Sequence, residues 1–221
     1  MTTLSNVTPK RGKQSPPCTR LTPCVSSVTS CDGVSVGYAP DPSKKWYVMR
    51  ATYHREKKAY DYLISKGVEA YMPLHRRIRM VDGKRRIVNE PLLPNFLFVY
   101  ATPEVIKIYS KNDPNLTFLN HYYDHFHLQE NGCNPPLTIS EEAMQNFIRV
   151  TSIDNKHVRV VAPENCHYKS GDMVRVIDGQ FKGVVGKVAR VAGQQRVVVE
   201  VEGVCLVSTA YVPTAFIESI K

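Results

Sequence analysis

The chain has 221 residues, 29 Lys and Arg against 20 Asp and Glu, and 43% hydrophobic residues, enough for one large or two small domains with a basic surface. No apolar run approaches the roughly 20 residues that span a bilayer, and the first residues lack the apolar stretch of a secretory signal, so a cytoplasmic protein with no membrane partner is expected. Residues 46–110 carry 12 Lys or Arg against 6 Asp or Glu, whereas residues 161–221 carry 7 against 6. The excess sits on the N-terminal half, where it suits either a polyanionic partner or a plain solvated face.

Residues 1–43 are rich in Ser, Thr, Pro and Lys without periodicity, so they are read as a flexible leader that buries too little apolar surface to offset its ordering entropy. Cys18, Cys24 and Cys31 in this leader lack the close pairing of zinc ligands, and the cysteines are expected as free thiols. His121, His125 and His127 read as loop or core residues, so no metal or other cofactor is expected.

Residues 44–155 read as an α/β unit. Trp46 to Ala51 is a strand, and Arg55 to Lys66 a helix with Ala59, Tyr62 and Leu63 on one face and a stop at Gly67. Val68 to Pro73 is a second strand. His75 to Met80 and Lys84 to Asn89 flank Val81-Asp82-Gly83, a hairpin signal because Asp and Gly both tolerate positive φ. Leu92 to Ala101 is nearly continuous apolar and aromatic, as in a strand buried on both faces. Glu104 to Lys111 suits a short helix. Ser140 offers an N-cap to a further helix with Glu141 and Glu142 in its first turn and Met144, Phe147 and Ile148 on one face.

Asp154 to Cys166 is a linker, with Val158 to Val161 as a short strand inside it. From 167 onward the period changes. Met173 to Ile177, Val184 to Val191, Arg196 to Val201, Val204 to Tyr211 and Ala215 to Ile220 are short Val-rich runs broken by glycine turns, which predicts a small SH3-like β-barrel. Gly183 and Gly186 are expected at tight bends. No clustered nucleophile, base or metal ligand suggests catalysis, so the protein is read as no enzyme.

Two blocks carry a resemblance. Trp46-Tyr47-Val48, the helix, the basic hairpin and Glu90-Pro91-Leu92-Leu93-Pro94-Asn95-Phe96-Leu97-Phe98-Val99 resemble the N-terminal (NGN) domain of the NusG family of transcription elongation factors. Gly171-Asp172-Met173-Val174-Arg175-Val176, Phe181-Lys182-Gly183 and Val185-Gly186-Lys187-Val188 resemble the KOW motif, which ribosomal proteins also carry. Their order is the family's, and within it the chain resembles the specialised RfaH and UpxY-type antiterminators of capsular polysaccharide operons. The resemblance implies an α+β architecture. It comprises a flexible leader (1–43), an NGN domain (44–155) with an antiparallel sheet flanked by helices, a linker (156–166) and a KOW barrel (167–221).

It also implies a monomeric antitermination factor that binds RNA polymerase and promotes read-through of long operons. Its contact with the clamp helices of the largest subunit would use Tyr47, Leu93, Pro94, Phe96 and Phe98, with Arg50 where the RfaH pattern has an aromatic. Contact with the gate loop would use Lys107, Ile108 and Tyr109. Tyr53, Arg55, Lys57, Lys58, Tyr62 and Lys66 are read as a surface for the non-template DNA strand. Arg76, Arg77, Arg79, Lys84, Arg85 and Arg86 on the hairpin are read as contacts to upstream duplex, with nascent RNA the other recruiting nucleic acid. A ribosomal protein or Rho is the partner implied for the KOW barrel. The alternative reading is a KOW-containing RNA-binding or ribosome-associated protein, which needs no clamp-binding segment.

Overall fold

A computed structural model of the chain describes residues 41–130 and 132–220. Most of the expected leader, with Cys18, Cys24 and Cys31, lies outside the described residues. Near its end Asp41 is tied to the sheet: the Asp41 backbone N donates to the Tyr100 hydroxyl (2.8 Å), which donates in turn to the Asp41 carbonyl (3.1 Å).

The N-terminal half is built on β1 (Lys45–Ala51), β2 (Glu69–Tyr71), β5 (Phe96–Ala101), β6 (Leu119–His121) and β7 (Thr138–Ile139), an antiparallel sheet in the order β2-β5-β1-β6 with β7 also on β1. β3 (Leu74–Val81) and β4 (Lys84–Pro91) pair only with each other, as a separate hairpin. Its two-residue turn has Asp82 at φ 53° and Gly83 at φ 73°, the doubly left-handed geometry that joins twisted antiparallel strands tightly.

Strand alternation sends Tyr47, Met49, Leu97 and Val99 to one face of the main sheet, against α1 (Glu56–Ser65) and α2 (Pro103–Lys107). Trp46, Val48, Phe98 and Tyr100 face the other way, against α3 (Glu141–Thr151). α3 begins as its sequence expects, with the Ser140 Oγ accepting from the Ala143 backbone N.

Four elements of this half differ from expectation. β5 starts at Phe96 rather than Leu92, because Asn95 adopts φ 68° and breaks the extended chain. The helix expected over Glu104 to Lys111 runs Pro103–Lys107 and loosens into a π-helical turn at Ile108–Asn112. β6 and β7 are too short to leave a periodic signal and were not expected.

The C-terminal half is a six-stranded antiparallel sheet in the order β13-β9-β10-β11-β12-β8. Its strands are β8 (Arg159–Val161), β9 (His167–Val176), β10 (Val185–Val191), β11 (Gln194–Val201), β12 (Cys205–Tyr211) and β13 (Ile217–Ser219). The strand read inside the linker, now β8, completes one edge of this sheet. The Ala215 to Ile220 run is only partly strand, since Thr214–Phe216 is a 3₁₀ turn. α3 also meets this sheet: the Arg149 guanidinium donates to the Gly183 carbonyl, and the Asn146 Oδ1 accepts from the Val185 backbone N (3.2 Å). One apolar cluster therefore runs from Trp46 and Phe98 through Phe147 to Val184, Val197 and Val207.

Gly186 does not sit at the expected bend. It lies within β10, where an added Cβ would come 2.4 Å from the Val198 carbonyl oxygen of β11 and 2.9 Å from the Val197 side chain. Gly186→Ala is therefore expected to lower stability by about 2 kcal/mol, since the obstacle is backbone that must shift. An unchanged denaturation midpoint would refute this steric account.

Candidate functional site

The segment implied for polymerase contact is not one open depression. Phe98 is fully buried, edge-on to Phe147 with ring centroids 5.1 Å apart, and Leu93 is buried in the same cluster. Tyr47 points through the opposite face of the sheet, where its ring lies 6.4 Å from that of His121. The period of 2 along β1 makes this unavoidable, because Tyr47 lies between Trp46 and Val48. Burial also raises the Tyr47 pKa, with a smaller contribution from the Glu104 charge.

What remains at the surface is a turn. Pro94 is exposed, and Phe96 is half-buried with its ring edge-on to Tyr122 at 5.2 Å. Arg50, exposed on β1, pairs in register with Phe96. Asn95 holds this turn with its left-handed backbone. Its side-chain Oδ1 accepts from the His54 backbone N (3.0 Å), and its carbonyl accepts from the Ala51 backbone N (2.8 Å). The turn is thereby tied to Thr52–His54, where Tyr53 and His54 are themselves at φ 59° and 52°. Of the residues implied for the gate loop, Lys107 at the end of α2 and Ile108 in the π-helical turn are exposed, while Tyr109 packs against the α1 and α2 core.

The second surface is the start of α1. Tyr53 is 85% exposed. The Arg55 guanidinium stands 4.1 Å from the centroid of buried Phe118 and 5.5 Å from that of Tyr53, and the Lys58 Nζ is 5.8 Å from Phe118. Phe118 was not singled out by sequence, yet it holds two cations beside an exposed aromatic. Lys57 and Lys66 are exposed as expected. Tyr62 is not a free stacking ring: its hydroxyl donates to the Asp113 Oδ2 (2.8 Å), which is the main reason its pKa is raised.

The hairpin is less positive than its sequence suggests. Arg79 makes a forked pair with Glu90, Nε to Oε1 at 2.7 Å and Nη2 to Oε2 at 3.0 Å, with Arg77 Nε at 3.9 Å. Arg76 Nη1 reaches the Asp154 Oδ2 at 2.7 Å. The Arg79 hydrogen bond is the first cause holding the Glu90 carboxyl below its usual range. Lys84, Arg85 and Arg86, near the turn, have no carboxylate partner among the described residues and are exposed. Ile78 and Ile87 pair across the ribbon and are each 70% exposed, with Met80 beside them, an apolar stripe the charge count concealed.

The histidines go to separate partners. His121 Nε2 meets the Ser110 hydroxyl, His125 Nδ1 meets Asn134, and His127 Nδ1 meets Asp124 Oδ2 at 2.9 Å. Among the described residues no three His, Cys, Asp or Glu side chains are grouped to hold a metal ion. The Asp124 carboxyl is held below its usual range, first by the Phe126 backbone N, and the Asp124 bond in turn raises the His127 pKa. Because the folded value is raised, the pair's stabilisation is full below the ordinary histidine value of about 6.5 and is lost as pH rises through the folded value. Asp124→Asn should return the His127 titration to about the ordinary value, read by NMR; an unmoved titration would show that Asp124 is not its cause.

No helix among the described residues is long and apolar enough to cross a membrane. Residues 44–148 match the family model described as NusG, transcription termination factor nusG. Among solved structures the chain is similar to the one titled "Domain interaction in Thermotoga maritima NusG", at 18% identity over 80% of this chain and 98% of that chain, with a TM-score of 0.39.

Proposed function

Starting from the NusG-family domain that the chain carries at residues 44–148, we propose that it is a transcription elongation and antitermination factor that rides on RNA polymerase. In this reading residues 44–155 are the NGN domain, 156–166 the linker and 167–221 a KOW module. The factor is of the specialised UpxY type, promoting cytoplasmic read-through of long operons such as those for capsular polysaccharide. The observation that carries the polymerase contact is the Leu93-Pro94-Asn95-Phe96 turn, held by Asn95 so that Pro94 and one edge of Phe96 meet solvent. A rigid turn presenting an apolar anchor loses little freedom on docking.

Phe96, Pro94 and Arg50 are assigned to the clamp helices, and Lys107 and Ile108 to the gate loop. Tyr53, Arg55, Lys57 and Lys58 offer a stacking ring beside cations for the non-template strand. The chemistry needed is binding alone. A factor that grips both jaws more tightly when the clamp is closed shifts polymerase towards its processive state by that difference in affinity.

The test is transcription through a long operon leader by purified polymerase, with wild type or Phe96→Ala added after initiation. Wild type should raise read-through and capture polymerase, and the variant, still folded, should do neither. Capture of ribosomes with no effect on read-through would replace this reading with the RNA-binding one.

A further inference from the structure

A cleft of about 640 Å³ opens where the root of the hairpin meets the end of α3 and the segment that leads into β8. Its lining combines an apolar part, including Met72, Leu74, Ile153 and Val158, with four cations, Arg76, Arg77, Lys156 and Arg159. Asp154 is the one carboxylate among the lining residues, and it is engaged by Arg76. His75 also lines the cleft, and both of its ring nitrogens are shielded from solvent and lack a hydrogen-bond partner. Four cations against one carboxylate leave the cleft with excess positive charge, which an anionic ligand seated there would balance.

The hairpin's pleat extends this site. His75, Arg77 and Arg79 alternate onto one face of β3, and Arg86 pairs with Arg79 across the ribbon on that same face. Arg77 and Arg79 follow about 7 Å apart along β3. Glu90, on the same face, pairs with both, so Arg86 across from Arg79 is the cation of this face without a carboxylate partner among the described residues. A free nucleotide would use the cleft alone, whereas a strand uses the cleft and the hairpin together. A duplex is too wide for a cavity of this volume.

We propose that this cleft binds single-stranded nucleic acid, seating one nucleotide with its base on the apolar part beside His75 and its phosphates on Lys156 and Arg159, while the strand continues along the hairpin towards the unpaired cations Lys84, Arg85 and Arg86 at its tip. The site deepens the nucleic-acid part of the proposed function and lies apart from the polymerase-facing turn. It gives the segment between α3 and β8 a role as a binding wall.

The experiment uses the full chain, with fluorescently labelled ten-nucleotide RNA and DNA strands, anisotropy read across a salt series, and polymerase capture in parallel. Lys156→Gln/Arg159→Gln, both at exposed positions, should weaken binding of the preferred strand about ten-fold and flatten the log–log salt slope by about 1.4, two single-strand phosphate contacts. Polymerase capture should stay at the wild-type level. The RNA and DNA arms identify the source of the strand. If wild type binds a strand and the double variant matches it in affinity and slope, the cleft proposal is overturned and the wider reading stands. If wild type binds neither strand, the nucleic-acid part of that reading falls with it. Displacement of the strand by an equal concentration of free nucleoside triphosphate would also overturn the proposal, by showing a mononucleotide site.

Discussion

Phe98→Ala should lower the unfolding free energy by about 4 kcal/mol, within the range for deleting a fully buried phenylalanine ring. Phe98 has no exposed surface and lies between β5 and α3 against Phe147. Removing the ring leaves a cavity whose walls belong to the sheet and to α3, and α3 is itself pinned to the C-terminal sheet through Asn146 and Arg149. Such walls relax little, so the loss should sit well above the transfer energy of the ring alone. Urea denaturation would show it as a lower midpoint with an unchanged slope. Phe96→Ala, two residues earlier and half-buried, should cost distinctly less. The pair separates structure from function: loss of polymerase capture in Phe98→Ala reports unfolding, and loss in Phe96→Ala reports a contact. A cost for Phe98→Ala below that of Phe96→Ala would refute the packing described.

The strands and helices with strong periodicity were legible in the sequence. α1 and α3 announce themselves by apolar spacing, the hairpin by Asp82-Gly83, and the C-terminal sheet by Val-rich runs. Their signals are local, so they survive without knowledge of the rest of the fold. β6 and β7 are three and two residues long and exist because β1 offers them an edge, a tertiary cause with no local trace. The same distinction governs the candidate site. Exposed cations such as Lys57, Lys58 and Lys84 could be named from composition. Strand alternation puts Phe96 and Phe98 on one face, and the sequence reading favours Phe98 as the core residue; how far Phe96 stays exposed is decided by the turn at Asn95 and by Tyr122.

Charge behaves similarly. Six cations on the hairpin predict a strongly positive ribbon, but Glu90 and Asp154 answer three of them, and Asp154 comes from a segment 64 positions beyond Glu90 in the numbering. That leaves positive charge unanswered in two places, the hairpin tip and the cleft wall at Lys156 and Arg159. A hydrophilic linker reading of residues 156–166 conceals the second, because the cleft exists only once β8 has joined the edge of the C-terminal sheet beside β12.

Arg196 holds that edge, and Arg196→Met should cost about 3 kcal/mol. It is 4% exposed, at a bulge between β11 and β12, and gave no sign of importance in a Val-rich run. Its guanidinium donates to the His157 carbonyl (2.9 Å), the Thr209 carbonyl (3.0 Å) and the Gln194 Oε1 (3.0 Å). Burial, followed by the Arg159 charge, lowers its pKa, although an arginine keeps its proton at any ordinary pH. Replacing a buried charge by an apolar side chain of similar length need not destabilise by itself. Here the partners stay behind as carbonyls that lose a charged donor, and that loss decides the sign. The His157 contact ties the segment before β8 to the sheet, so Arg196→Met should also speed amide exchange at Val160 and Val161 and weaken strand binding in the cleft. Unchanged stability together with unchanged exchange there would show that β8 is held by its ladder to β12 alone.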